Sequence, residues 1–547
     1  MLTSQSWAPN IKTALLSFLA VRTLSAIYNY NFISDCDEVM NYWEPTHYLM
    51  YGNGFQTWEY SPVYGIRSYG YIAFHAAIGF LISLFTSNKI TIFFGIRLAL
   101  GVLSALCETY FYNGVSKRFG SHVGLFTFLF LLGSPGMFIA STAFLPSSFS
   151  MYCLTFGFGA WFNQRYTLAV TAVAAATILG WPFCVVLTAP LAIDILIRSG
   201  FVNILGWGLL SLLYFLVPSM IVDWIYYHKW IVPVWNIIMY NVFTSHGANI
   251  YGVEPWTYYI ANLFLNFNIA LFLALATYPL LAIFKFFNRS LPAMHFAYIL
   301  PFYIWFGIMI KLQHKEERFL FVVYPLIALG ASVSLVILME FAKRILAAVA
   351  GGKVKFISVQ RFVNFCVWIL FFGFVLLSVS RVVSLCVNYN APLHIYTHLS
   401  EVEFKKPIQP EGKVHVCVGK EWYRFASNFF LPSDKYELSF VKSGFGGQLP
   451  KLYSPGNGTW IIPEHFNDQN LEEPSRYIDM SQCDYFIDLE VPNQSEPYYS
   501  KDPNWHVIQE YPFLDAANSH PIFRAFFVPV LSQENNRFSS YYILKRE

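Results

Sequence analysis

The sequence predicts a mostly α-helical polytopic membrane protein with a soluble C-terminal α+β domain. Of 547 residues, 56% are hydrophobic and only 12% are charged. A soluble protein carries about 25% charged residues, so most of the water-facing surface is missing and must face lipid. Apolar stretches long enough to cross a bilayer, about 20 residues each, recur through residues 1–387. Beyond them, in 388–547, charge, Pro and Gly rise. Short alternating runs there, at 414–418 and 485–489, read as strands.

About eleven spans are expected, at 11–28, 69–85, 91–112, 122–139, 144–162, 167–190, 203–222, 259–284, 291–310, 319–341 and 362–387. The first lacks a small-residue cleavage site before Tyr28, so it reads as a retained span rather than a signal peptide. Lysine and arginine concentrate on cytosolic loops. The cluster Lys343, Arg344, Lys353, Lys355 and Arg361 is therefore expected in the cytosol, with a weaker loop at Lys285 and Arg289. Walking outward puts the N-terminus in the cytosol and loops 31–68, 223–258 and 311–318, with the whole of 388–547, in the lumen. The same walk leaves Lys117, Arg118 and Arg165 in the lumen, against the rule. A second arrangement relieves this: 69–85 lies on the membrane surface and 167–197 forms two short helices broken around Gly180–Pro182.

Three sequons occur, at Asn288, Asn457 and Asn493; the last two agree with a lumenal tail, and the first is expected to go unused. Eight cysteines are few. Cys417 and Cys483 sit in the polar tail, as a disulfide in an oxidising lumen or as two free thiols. A net charge of +3 without basic runs sets nucleic acid aside as a partner.

Two charged segments stand out. The first lumenal loop places Asp35, Asp37, Glu38 and Glu44 in one short stretch ending at His47, directly after a span. Carboxylates this close to lipid are costly when ionised. They also repel one another, which raises the pKa of at least one and suits it to act as a general base. A solvated loop with a helix cap at Asp35 or Asp37 is the bland alternative. From Val39 the pattern is helical, which predicts Asn41, Glu44 and Tyr48 on one face with Asp37. Trp43, Trp58, Tyr60 and Tyr64 interleave with the acids, including Glu59, as sugar-stacking surfaces or interface aromatics do. Arg67 fits either a lipid-phosphate contact or an interfacial anchor. Asp35-Cys36-Asp37 matches a metal-binding Asp-x-Asp pattern, discounted because hard cations want more oxygen ligands. The second segment, His314-Lys315-Glu316-Glu317-Arg318-Phe319, sets five ionisable residues between two apolar stretches. Its cations suit a departing phosphate, with Glu316 and Glu317 holding them. A third lumenal loop, through Glu254 and Trp256, is rich in aromatics and amides. Arg97 and Glu108, inside one apolar stretch, are expected to pair with other polar groups inside the bundle.

Together, Asp35-Cys36-Asp37-Glu38, Asn41-Tyr42-Trp43-Glu44-Pro45, Trp58-Glu59-Tyr60-Ser61-Pro62, Ile66-Arg67-Ser68, Gly252-Val253-Glu254-Pro255-Trp256, the His314–Phe319 string and Glu421-Trp422-Tyr423 resemble the lipid-linked α-1,2-mannosyltransferases of asparagine-linked glycosylation. The His314–Phe319 string alone marks a wider family with α-1,6 and glycosylphosphatidylinositol-anchor mannosyltransferases. The resemblance implies the C-type glycosyltransferase (GT-C) fold in the endoplasmic reticulum membrane. It implies dolichyl phosphate mannose as donor, a dolichyl-diphosphate oligosaccharide as acceptor, inversion at the sugar, and no metal or other cofactor. Carried over by position, it implies Asp37 as base with Glu38 beside it, and His314, Lys315, Arg318 and Arg67 on the donor phosphate. Asp35, Glu44, His47, Trp58, Glu59, Tyr60, Glu254, Trp256, Glu316 and Glu317 are the expected substrate contacts. A lipid or sugar transporter fits less well, because the charge sits at span ends and no internal repeat is present.

Overall fold

The computed structural model describes residues 8–28, 33, 35–243, 248–288, 292–350, 356–406, 412–456 and 458–547. Residues 31, 32 and Ser34 of the first loop, Arg289, Lys353, Lys355 and the sequon residue Asn457 lie outside the described residues.

Among the described residues, seven helices are long and apolar enough to cross a membrane: Ile11–Tyr28, Lys89–Phe119, Pro182–Ser199, Phe201–Tyr227, Met294–Lys311, Glu317–Val349 and Phe356–Asn388. An eighth crossing is possible if Ile269–Leu275 and Thr277–Phe287, bent by 52°, act as one. Three expected spans are shorter helices, Tyr69–Ser83, Ser121–Gly133 and Tyr166–Gly180. Hydropathy registers apolar runs but not where a helix stops. Ser134 and Trp181 each precede a proline and take extended φ/ψ, because proline disfavours the helical region for the residue before it. Asn268, at φ +38°, ends Thr257–Phe267 before the next helix begins.

The apolar middle of helix Glu317–Val349 is wholly buried, as a central bundle helix should be. Ser121–Gly133, Ile269–Leu275, Thr277–Phe287 and Phe356–Asn388 pack around it. A buried Arg22–Glu108 ion pair ties Ile11–Tyr28 to Lys89–Phe119, with Nη2 to Oε2 at 2.7 Å and the Leu131 carbonyl accepting at 2.8 Å. Charges at this depth persist only when paired.

The C-terminal domain is built on five strands: β2 (Val414–Val418), β3 (Tyr436–Phe440), β5 (Tyr485–Glu490), β6 (Trp505–Leu514) and β7 (Phe538–Arg546). Their order is β3-β2-β5-β7-β6. β2 is parallel to β3 and β5, whereas β7 runs antiparallel to β5 and β6. β5 is buried at every position, the pattern of a strand covered on both faces. Cys417 and Cys483 form a disulfide, Cα atoms 5.8 Å apart. β1 (Phe55–Gln56) in the first loop pairs antiparallel with β4 (Lys451–Leu452) in the domain, so loop and domain are stitched together.

That stitching orients the bundle. Lys89 opens its helix beside His47, 3.0 Å away, and Phe93 packs on Phe425, Phe429 and Phe430 of the domain. The 31 residues of Lys89–Phe119 rise about 46 Å, so Lys117 and Arg118 lie on the opposite side of the bundle. Arg118 Nε donates to the Tyr298 hydroxyl there at 2.8 Å. Tyr69–Ser83 both starts and ends on the domain side, with Tyr69 bonded to Tyr453 and Ile82 against Gly95. Residues 167–197 are broken at Trp181, as the second arrangement expects.

Candidate active site

Asp35 caps the helical turn Cys36–Glu38, its side chain accepting from the Asp37 N–H at 3.0 Å. The chain then widens into a π-helical turn, Val39–Trp43, before the α-helix Glu44–Tyr51. Such wide turns are rare and recur at functional sites. This one adds a residue between Asp37 and Glu44, which rotates the face expected from i, i+4 spacing. Asp37 therefore faces a cavity, while Glu44 and Tyr48 face the C-terminal domain. Glu44 is fully buried and accepts from the Asn428 N–H at 2.7 Å, Asn428 Nδ2 at 2.6 Å and the Phe55 N–H at 3.1 Å. His47, also fully buried, bonds the Asn53 carbonyl at 2.7 Å. Burial and Lys89 hold its pKa well below the usual histidine value. Tyr60 is buried with its hydroxyl on the Asn41 carbonyl at 2.7 Å. The structure thus makes Glu44 and His47 supports of the loop, outside the lining of the two cavities described below, while Tyr60 lines a small one of about 40 Å³ with Tyr42 and Arg67.

Arg318 joins the two charged segments. Its Nη1 donates to Asp35 at 2.6 Å and its Nη2 to Asp37 at 2.6 Å, with Glu316 paired to the same guanidinium. Burial pushes Asp35 up to about 7, with Asp37 and Glu316 adding to the rise and Arg318 opposing it. Burial also acts on Asp37, but Arg318, Arg67 and the hydrogen bond from Arg318 outweigh it and hold that carboxyl below the usual range. Glu38 is raised by burial. It accepts from Trp43 Nε1 at 3.1 Å and the Phe144 N–H at 3.0 Å, with Arg97 Nη1 at 3.5 Å. His314 Nε2 bonds Glu316 at 2.8 Å, which raises its pKa, and its Nδ1 bonds the Gly252 carbonyl at 2.8 Å.

This group stands between two cavities. The larger, about 510 Å³, is lined by Asp37, Arg67, His314, Glu316 and Arg318 at its polar end and by Trp181, Phe183, Val186, Ile308 and Met309 on its apolar flank. Val186 and Ile308 are exposed at its rim. Trp58 and Glu59 also line it. Arg67 is held bidentate by Glu59, at 3.1 and 2.9 Å, and donates to the Tyr42 hydroxyl at 2.7 Å. Asp223 fixes the segment behind it by accepting from the Ser68 hydroxyl at 2.9 Å and the Tyr69 N–H at 2.6 Å.

The smaller cavity, about 320 Å³, is lined by Asp35, Cys36, Glu38, Arg97, Tyr258, Lys315, Glu316, Glu317 and Arg318. Lys315 is buried, its ammonium on the Glu254 carbonyl at 3.0 Å and on the Leu312 carbonyl. Glu317 accepts from Asn262 and Asn266, both at 2.9 Å. The four cations expected on one phosphate are therefore divided. Arg67 and His314 lie on one side of Arg318 and Lys315 on the other. Glu254 takes part through its backbone, and Trp256 is exposed. Sequence reasoning placed Arg97 inside the bundle but not at the site. A cation eight residues into an apolar helix was the available signal.

A family model described as the Alg9-like mannosyltransferase family matches residues 13–432. The mouse protein "Alpha-1,2-mannosyltransferase ALG9" is 45% identical over 99% of this chain and 90% of its own length. Its human counterpart is 44% identical over the same shares. Among solved structures, ArnT from Cupriavidus metallidurans bound to undecaprenyl phosphate aligns with a TM-score of 0.49 and 14% identity, over 79% of this chain and 86% of that one. A match over this much of the chain, with relatives this similar along nearly all of it, makes the chain a member of the Alg9-like mannosyltransferase family.

Proposed function

We propose that this enzyme transfers mannose, with inversion, from dolichyl phosphate mannose to a 2-hydroxyl of a dolichyl-diphosphate-linked oligosaccharide. The product is an α-1,2 bond, formed in the lumen of the endoplasmic reticulum during assembly of the N-glycan precursor. One observation carries the reading: Arg318 and the carboxylates it holds form a wall between an apolar cavity open at its rim and a small polar one. An inverting displacement needs its two substrates on opposite faces of the anomeric carbon. The lipid donor takes the larger cavity, its chain along Phe183, Val186 and Ile308 and its phosphate toward Arg67, His314 and Arg318. The acceptor sugar enters from the smaller cavity.

In this reaction the acceptor oxygen bonds to the anomeric carbon as the bond from that carbon to the phosphate oxygen breaks. The bonding pair leaves with the phosphate, whose growing charge meets Arg318 and His314. The hydroxyl proton passes to Asp37. A weak base suffices, because that proton becomes strongly acidic only as the new bond forms, and the depressed pKa keeps Asp37 ionised and ready. Metal independence is part of the proposal. The carboxylates of Asp35 and Asp37 and the thiol of Cys36 lie within 4.8 Å of one another, but a guanidinium already bonds both acids, and its charge opposes a cation there.

Transfer from synthetic dolichyl phosphate mannose to a defined lipid-linked oligosaccharide, in chelator, with wild type beside Asp37→Asn, tests this. The expected result is an α-1,2 product from wild type and at least a hundredfold lower rate from the variant. A folded Asp37→Asn enzyme with most of its activity would overturn the base assignment. A requirement for added metal would overturn the cofactor reading.

A further inference from the structure

The C-terminal domain also meets the bundle through residues 521–532, none of which lines either cavity. They dock on helix Phe356–Asn388, which carries no charged residue between Arg361 and Arg381. That stretch rises about 30 Å, the thickness of a hydrocarbon core, so Arg381 marks where the helix leaves it on the domain side. Leu376, Leu377 and Val379, just short of that level, are exposed as lipid-facing residues are. The Arg524 carbonyl accepts from the Ser384 hydroxyl at 2.8 Å, the Ala525 carbonyl from Arg381 Nη1 at 3.1 Å and the Phe527 carbonyl from the Ser380 hydroxyl at 2.9 Å. From Arg524 to Phe527 the chain therefore descends from Ser384 to Ser380, toward the hydrocarbon. Phe526 meets Phe264 of helix Thr257–Phe267, ring centroids 6.4 Å apart. The descent ends in a turn closed by Ser532, whose hydroxyl accepts from the Val528 N–H at 2.8 Å and whose N–H donates to the Val528 carbonyl at 2.9 Å. Val528, Val530 and Leu531 are exposed on this turn, and Ile522 is exposed before it. Val530 has φ +68°, a region β-branched residues rarely adopt, so the turn presents its apolar side chains at a conformational cost.

We propose that the turn Val528–Leu531, with Ile522, is a membrane anchor of the C-terminal domain, seated among the acyl chains of phospholipid in the domain-side leaflet. Apolar residues scattered singly on a surface mean little. Here four stand exposed within 522–531, at the level where a spanning helix enters hydrocarbon, and they continue the lipid-facing surface of Leu376 and Val379. Apolar side chains at that boundary gain by leaving water. The backbone is prepared for it, since polar groups near hydrocarbon must find partners within the protein. The Phe527 N–H donates to the Ser380 carbonyl at 3.0 Å, Pro529 has no N–H, and the Leu531 N–H donates to the Pro529 carbonyl at 2.8 Å. The domain is thereby held to the bilayer as well as to the bundle.

The test places the full-length enzyme, one chain per disc, in nanodiscs of phosphatidylcholine carrying a diazirine midway along one acyl chain. After irradiation, lipid adducts are mapped by mass spectrometry. One chain per disc excludes a second copy as the occupant of the turn. The expected result is adducts on residues 522–531 together with adducts on 365–379 of the spanning helix, which report that the lipid probe works. The triple variant Val528→Ser, Val530→Gly, Leu531→Ser removes the apolar groups, and glycine suits the positive φ, so the turn keeps its shape. In that variant the adducts on 522–531 are lost and those on 365–379 persist. Adducts on 365–379 with none on 522–531 of the wild type overturn the proposal, because the turn then faces water. Adducts on 522–531 that the triple variant leaves unchanged overturn it too, because the three apolar side chains then do not seat the turn.

Discussion

Asp35 and Asp37 share one guanidinium, but their surroundings drive them apart: burial lifts Asp35 to about 7 while Arg318 and Arg67 hold Asp37 low. Near neutral pH, Asp37 is ionised and Asp35 changes state. Ionised Asp35 adds a negative charge beside Asp37 and makes it a better base; protonated Asp35 does not. The sign follows: kcat/KM should fall as pH falls through about 7. Asp35→Asn should be slower and lack that inflection. A wild-type profile flat from pH 6 to 8 would remove Asp35 from the proton balance. The acids themselves were legible in the sequence, because four carboxylates beside a span are hard to explain otherwise. Which of them border a cavity was not. Glu44 and His47 carry the same sequence signal as Asp37, but their burial depends on Asn428, Phe429 and Lys89, partners the chain brings back only on folding.

Helix Glu44–Tyr51 carries that dependence. On one side it holds the turn that carries Asp37; on the other, Glu44 grips Asn428, and Tyr48 stacks on Tyr453 at 4.0 Å and accepts from the Gly458 N–H at 2.8 Å. Glu44 has three donors on a buried carboxylate. Removing the acceptor leaves each donor unpaired at about 1–3 kcal/mol apiece, comparable to the whole stability of many folds. Glu44→Ala is expected to fail to accumulate as a monodisperse protein. Glu44→Gln, which turns an amide NH2 toward at least one N–H, should fold with a lower Tm and faster proteolysis of the C-terminal domain. Near-wild-type Tm in both variants would show that β1–β4 pairing and the aromatic contacts suffice. Helix ends were the least legible elements, for a related reason. Trp181 ends a helix through the proline after it, which the sequence does display, and the break at Gly180–Pro182 was read. The break at Asn268 has no proline; its amide instead bonds the Phe374 carbonyl and Ser378 from another helix, a tertiary cause with no local trace.

Across the whole molecule, positive charge sorts by face. Lys117 and Arg118 end the long helix opposite the C-terminal domain, and Lys343 and Arg344 lie on that same side, near His122 and Phe284. The excess of cations on that face is what the positive-inside rule expects of a cytosolic side, in keeping with the proposed lumenal placement of the domain and both cavities. The disulfide agrees, since such bonds persist in oxidising compartments. It closes a loop with a sequence separation of 66, and removing it should cost about 4 kcal/mol by chain entropy. In sealed microsomes, Cys417 and Cys483 should resist thiol reagents until reduced, and protease should cut the domain only after detergent is added. Replacing both cysteines with serine should lower Tm. Cleavage of the domain in intact vesicles would reverse the orientation. It would place both cavities on the cytosolic side and leave the cation-rich face in the lumen, against the charge rule that the rest of the bundle obeys.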